Sequence, residues 1–167
     1  MRQALEHARI LLPKEIDIVG AEIGVLRGEN SLEILSQWKE VTELNLIDNY
    51  ICGLSEKEDA DNRLKDYANR IKWHIGDSKI LFSDFRDESL DFIYIDGDHT
   101  YDGVMADMAN WWPKIKVKGV MCGHDYNPSW ESTMEVVKAV QHFSLYTSYN
   151  LNATNLGSNS DWWMIKY

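Results

Sequence analysis

Two stretches of the chain carry apolar runs straight into side chains that bind metals and move protons. "LDFIYIDGDH" leads from Leu90–Ile95 into Asp96, Gly97, Asp98 and His99, and "GVMCGHDY" leads from residues 119–122 into His124 and Asp125. Carboxylates grouped with imidazoles can hold a divalent cation, and an imidazole can also take up a proton near neutral pH. Asp96 and Asp125 can equally serve as strand-end caps and loop anchors. For His99 three roles are open: deprotonating an acceptor, orienting Asp98, or satisfying a loop carbonyl.

A second group of residues precedes these. "VGAEIGVLRGENS" reads as a strand, then Gly24 and Gly28, then a helix start. Glycines there let a backbone approach a ligand, and a helix N-terminus offers unpaired N–H groups, although the same residues also make an ordinary strand-to-helix turn. Asp48, closing "ELNLID", stands where an acidic side chain can accept both hydroxyls of a ribose. Asp77, in "HIGDS", can accept from an adenine amino group or can cap a helix that begins near Ser78. The dinucleotide pattern G-x-G-x-x-G is not met: the chain has Glu22-x-Gly24-x-x-x-Gly28, with Leu26 at the middle position. That substitution disfavours a pyrophosphate and leaves a phosphate-free nucleoside untouched. Glu22 suits a cationic ligand, and S-adenosylmethionine combines adenine and ribose with a sulfonium and an ammonium.

The elements that must position these residues follow from hydrophobic spacing. Strand-like runs fall at residues 16–19 continuing to Val25, then 43–47, Ile71–Ile75, Leu90–Ile95, 119–122, 143–149 and Trp162–Ile165. Helical spacing appears in Leu32, Leu35 and Trp38 behind a capping box of Asn30 and Glu33, and in Leu64, Tyr67, Ala68 and Ile71. It recurs in Val104, Met105, Met108, Trp111 and Trp112 up to Pro113, and in Met134, Val137 and Val140. Nearly continuous apolar strands alternating with amphipathic helices predict an α/β fold. The expected form is a doubly wound, Rossmann-like sheet of seven mostly parallel strands with the last antiparallel. The final two runs are joined only by the polar loop "NATNLGSNSD", too short for a crossover helix, so they should pair antiparallel. The Trp pairs at 111–112 and 162–163 should pack in the core, with at most one ring of each pair near the surface.

One domain is expected from 167 residues that are 44% hydrophobic. The first residues lack a signal-peptide core and no run approaches membrane-spanning length, so a cytoplasmic protein without a membrane partner is expected. Cys52 and Cys122 lack zinc or disulfide spacing and read as core or boundary residues. With a net charge of -10, and "KIKVK" the only lysine cluster, the chain should repel a phosphate backbone, which leaves a small molecule as the expected acceptor and no nucleic acid. The sequence leaves the oligomeric state open, a homodimer included.

From "VGAEIGVLRG" through "NLID", "GDS" and "IDGDHTYDGVMADMANWWPKIKVKGVMCGHDY" to "DWWMIKY", the chain resembles the class I S-adenosylmethionine-dependent methyltransferases. The nearest likeness is to the small single-domain branch of metal-dependent O-methyltransferases. The resemblance implies S-adenosylmethionine as cofactor, with Glu22, Gly24 and Gly28 on its methionine side, Asp48 at the ribose, and Asp77 with Ser78 near the adenine. It implies a divalent cation, Mg, Mn or Fe, held by Asp96, His124 and Asp125, with Asp96 also bordering the cofactor. His124 stands where those relatives have a carboxylate. An imidazole there favours Mn, Fe or Zn over Mg, or acts as a base, so Asp96, His99 and His124 are the expected catalytic residues. A hydroxylase using the same metal, a nicotinamide-dependent oxidoreductase and a non-catalytic nucleoside-binding module are the competing readings.

Overall fold

The computed structural model describes residues 1–13, 17–51, 53–154 and 160–167. Seven strands form one sheet: β1 (Ile18–Ile23), β2 (Val41–Asp48), β3 (Ile71–Ile75), β4 (Leu90–Ile95), β5 (Ile115–Gly123), β6 (Asn152–Ala153) and β7 (Trp162–Ile165). Their spatial order is β3-β2-β1-β4-β5-β7-β6. The first five run parallel, and β7 lies antiparallel between β5 and β6. The predicted seven-stranded α/β class is the one observed.

Every β4 side chain is buried, and their alternation serves two cores. Ile93 and Ile95 face a cluster built with Val104, Met108 and Trp111 from α5 (Tyr101–Trp111) and Val136, Val140 and Phe143 from α6 (Met134–Thr147). Phe92 and Tyr94 face the other cluster, with Leu5 and Ala8 from α1 (Gln3–Leu11) and Ile34 and Leu35 from α2 (Glu29–Gln37). A central strand reads as continuously apolar because both sheet faces are covered. The helices α3 (Leu54–Leu64) and α4 (Ser78–Leu81) complete the alternation. Trp111 and Trp162 are buried and Trp112 and Trp163 only partly so, as the Trp pairs predicted. Cys122 is buried; Cys52, Ile16 at the start of the first predicted strand, and positions 155–159 of the polar loop lie outside the described residues.

Two local expectations are corrected. The predicted strand at 143–149 is instead the end of α6 as far as Thr147, with Ser148 as its left-handed C-cap, because Phe143 continues the buried face of Val136, Val137 and Val140. The true sixth strand is the two-residue Asn152–Ala153. The predicted capping box is also absent: Gly28 is the N-cap of α2, in the left-handed conformation, and Asn30 donates instead to Glu22. Among the described residues, no helix is long and apolar enough to cross a membrane.

Candidate active site

At the carboxyl ends of β1 to β4 lies a cleft of about 550 Å³. Ligands of open α/β sheets bind at this end, where the strand order switches between neighbouring strands. Its walls include Gly24, Leu26, Asp48, Tyr50, Asp77, Ser78, Asp96, Asp98 and His99. Gly24 joins two of those walls: with φ at 86°, its backbone lies so close to β4 that any Cβ would stand 2.2 Å from the Asp96 carbonyl oxygen.

Asp48 organises the turn after β1. Its Oδ2 accepts the backbone N–H groups of Val25 and Leu26, both at 2.8 Å, and its Oδ1 accepts that of Tyr50 at 2.7 Å. Turn amides of this kind form an anion-binding nest in other folds. Here the protein's own carboxylate already occupies it, so the Val25 and Leu26 amides are not vacant for a pyrophosphate. One lone-pair position of the carboxylate remains for an incoming hydroxyl.

Across the cleft, Asp77 caps α4, accepting the Lys79 N–H at 2.9 Å while lining the wall. The capping role foreseen for it is observed, and the residue also borders the cleft. Ser78 donates to Asp107 Oδ1 at 2.6 Å, and Lys79 reaches Asp98 at 3.1 Å.

Glu22 and Gly28 stand outside the lining. Glu22, 1% exposed, accepts hydrogen bonds from Ser31 and Asn30 of α2, so it ties β1 to α2 beneath the turn. Burial pushes its carboxyl up to about 7, with Asp96 and Asp48 adding to the rise. Gly28 starts α2 against Leu64 and Ala60.

The ends of β4 and β5 converge beside the cleft. His99 Nε2 lies 3.3 Å from Asp96 Oδ1 and its Nδ1 3.3 Å from Asp125 Oδ2. The hydrogen bond with Asp96 is the main cause of its raised pKa, and Asp125 adds to it. One donor atom from each of Asp96, His99 and Asp125 falls within 4.8 Å of the others, a grouping compatible with a divalent cation. Asp125 is presented by a left-handed backbone, φ 61°, which is unusual for a residue with a side chain.

His124, whose Nε2 is 3.8 Å from Asp125 Oδ1, is held mainly by other partners. Its Nδ1 is 3.0 Å from Asp161 Oδ1 and its Nε2 is 2.9 Å from Arg2, which can only donate. Asp161 is fully buried, and it also accepts the Ala4 N–H at 3.0 Å and the Tyr94 hydroxyl at 3.3 Å. Burial lowers the His124 pKa, but the Asp161 hydrogen bond and the Asp96 charge outweigh it, and the net direction is up. Asp96 and Asp125 thus stand together with His99, whereas His124 is tied to the first helix and the last strand. Sequence reasoning missed Arg2, Asp107 and Asp161. No spacing signal could have found the first and last, because Arg2 meets His124 across 122 residues and the partners of the Asp161 carboxylate lie 37 to 157 residues away in the chain.

A family model described as a methyltransferase domain matches residues 21–126, well over half of the chain. Among solved structures, a candidate caffeoyl-CoA O-methyltransferase from Staphylococcus aureus has a TM-score of 0.78 at 16% identity, covering 99% of this chain and 83% of that one. The O-methyltransferase TomG from Streptomyces achromogenes, solved with S-adenosylmethionine, has a TM-score of 0.73 at 12% identity, covering 99% and 78%. At such identities the likeness is one of fold. An uncharacterised protein from Sinorhizobium fredii, y4gI, is 43% identical over 42 residues, which are 25% of this chain and only 5% of that protein. With the family model spanning both the glycine turn and the Asp96 to Tyr126 segment, the chain belongs to the methyltransferase domain family.

Proposed function

We propose that the protein transfers a methyl group from S-adenosylmethionine to a hydroxyl oxygen of a small molecule, with a divalent cation at the acceptor. The observation that carries this reading is the occupied amide nest: Asp48 holds the N–H groups of Val25 and Leu26, inside a cleft whose strand ends supply further carboxylates. Such a cleft suits a cationic, phosphate-free nucleoside. Bound S-adenosylmethionine supplies an electrophilic methyl group on a sulfonium. TomG, solved with that compound, supports the reading through its shared fold.

In this scheme Asp48 receives one ribose hydroxyl at its remaining lone pair and Asp77 with Ser78 borders the purine. Gly24 lets the ligand lie against the β1 turn, and Asp96 borders it from β4. The donor set of Asp96, His99 and Asp125 fits a divalent ion, and its imidazole favours Mn or Fe over Mg. Such an ion would lower the pKa of the acceptor hydroxyl and fix its oxygen. Without such an ion, His99, between two carboxylates, would be the group placed to receive the hydroxyl proton, and the carboxylates would stabilise the imidazolium that results. His124, bonded at both nitrogens, orients the first helix beside this centre. The acceptor is a small molecule, and the net charge of -10 disfavours nucleic acid.

Calorimetry with S-adenosylmethionine, S-adenosylhomocysteine and NADH, in Mn²⁺ and in EDTA, tests the proposal. Binding of the first two without NADH is expected, with Asp125→Asn losing metal-dependent turnover and keeping cofactor affinity. Failure of the wild-type protein to bind S-adenosylhomocysteine at millimolar concentration would remove the cofactor reading. Full turnover in EDTA would remove the cation and leave His99 as a metal-free base.

A further inference from the structure

Asp107 lies in the middle of α5, 0% exposed, and neither the cleft lining nor the chemistry above uses it directly. Its Oδ1 accepts the Ser78 hydroxyl at 2.6 Å, and its Oδ2 has no hydrogen-bond partner among the described residues. One helical turn further on, Trp111 Nε1 donates to the Ser78 carbonyl at 3.2 Å. Both α5 side chains thus grip one residue, Ser78, which opens α4 and lines the cleft between Asp77 and Lys79.

A buried carboxylate with one unpartnered oxygen is an expensive way to hold a serine. An asparagine could accept the same hydroxyl without burying a charge. An ionised carboxylate differs in one respect that bears on a ligand: it only accepts, so the Ser78 proton must point toward it. The hydroxyl then has a single orientation, and its oxygen is left as an acceptor. An amide, or a protonated acid, can present a donor and reverse that bond.

We propose that Asp107 is a positioning residue of the cofactor site, acting through Ser78 to fix the α4 wall and the orientation of the Ser78 hydroxyl. This rests on the reading of the cleft as a nucleoside cofactor site. Burial pushes the Asp107 carboxyl up to about 6, against the lowering effects of the Ser78 hydrogen bond and of Lys79; Asp98 and Asp77 are the other charged groups that face it. Cofactor affinity should therefore be full above pH 7 and fall as pH drops through about 6, where Asp107 takes up a proton and can donate.

The test is calorimetry with S-adenosylhomocysteine on the full chain, with thermal melts to establish folding. Asp107→Ala and Ser78→Ala should each weaken binding roughly tenfold at pH 7.5, the scale of one charge-assisted hydrogen bond. The double variant should be no weaker than either alone, since both remove the same link. Asp107→Asn should lose the part of the pH dependence centred near 6, while Lys79, Asp77 and Asp98 remain to set a common background. Additive losses in the double variant, or wild-type affinity in folded Asp107→Ala, would overturn the assignment. If Asp107→Ala does not fold, wild-type affinity in Ser78→Ala or a pH profile for Asp107→Asn parallel to the wild type overturns it instead. A wild-type protein that binds no S-adenosylhomocysteine at all refutes the cofactor reading, a result distinct from each of these.

Discussion

The two halves of the site are built in different ways. On the cofactor side, Asp48 bonds the backbone of its own turn and of the neighbouring one, and Asp77 caps the helix that follows it. Each of those side chains anchors backbone close to the strand end that carries it. On the side proposed for the acceptor, His99 joins Asp96 to Asp125 at the ends of β4 and β5, but His124 beside them is held by remote partners: Arg2 at the start of α1, and Asp161, which also meets Ala4. The proposed cofactor half therefore depends on strand ends being where the fold puts them, and the placement of His124 depends also on α1 and the segment before β7 docking onto the sheet. Perturbing one half should leave the other largely intact.

The sharpest way to break that comparison is at Asp161. Its carboxylate receives the Ala4 N–H, the Tyr94 hydroxyl and His124 with no solvent exposure. Asp161→Ala strands all three, and on the order of 4 kcal/mol of stability should be lost, the scale for breaking a buried hydrogen-bonded charge. Chemical denaturation measures this directly. In the protein that remains folded, S-adenosylhomocysteine affinity should change less than threefold, about 0.6 kcal/mol; a larger change would show that the halves are coupled.

Asp48→Ala should do the reverse, and more locally. Three backbone donors lose a charged acceptor, so roughly 3 kcal/mol of stability is at stake in addition to any ligand contact. Loss of affinity alone, at unchanged stability, would contradict the role of Asp48 as the anchor of the turn. Asp48→Asn keeps an acceptor oxygen and should recover part of both.

That contrast also explains what the sequence disclosed. Asp48, Asp77 and Gly24 were legible because strand ends and a glycine turn place them with local rules. The Asp96 to Tyr126 segment was legible by family likeness, yet it pointed to His124 as a cation ligand beside Asp96 and Asp125. The structure puts His99 between those carboxylates and gives both nitrogens of His124 to Arg2 and Asp161. Their partners separate the two imidazoles: the first helix and the residue before β7 take His124, while His99 lines the cleft. The sixth strand went astray for a different reason: β-prone letters at 143–149 sit on a helix whose buried stripe already passes through Val140 and Phe143. Tertiary burial overrides local preference there.

Glu22 offers a pH test of the cofactor half. Its folded pKa is raised to about 7 by burial, above that of an exposed glutamate. The folded state thus holds a proton that the unfolded chain has released, and the contribution of Glu22 to stability should be greatest at low pH and be lost as pH rises from about 4.5 to about 7. Glu22→Gln removes this dependence. At pH 8 it should be about 2 kcal/mol more stable than the wild type, somewhat less than the full linkage because the glutamine NH2 cannot accept the hydrogen bond that one carboxylate oxygen accepts. Urea melts across that range would refute the reading if the two proteins kept parallel pH profiles.

The smallest expected effect is at Leu26, and it asks whether the cofactor half carries strain for the sake of its ligand. Leu26 adopts φ 50° and is 49% exposed, so it has both an unfavourable backbone and an apolar side chain left in water. Nothing in the core requires it, and its side chain lines the cleft along with Ile51, which is 86% exposed. Two aliphatic side chains on the walls of one cleft gain burial only when something lies between them. Leu26→Gly relieves the backbone, at the cost of glycine's greater freedom in the unfolded chain, so stability should rise by roughly 0.5 kcal/mol. Cofactor affinity should fall about fivefold as the apolar contact is lost, near 1 kcal/mol for part of a leucine side chain. A variant that gains stability and keeps its affinity would mean that the strain serves something other than the nucleoside. One that loses stability would mean that Leu26 packs the turn rather than the ligand.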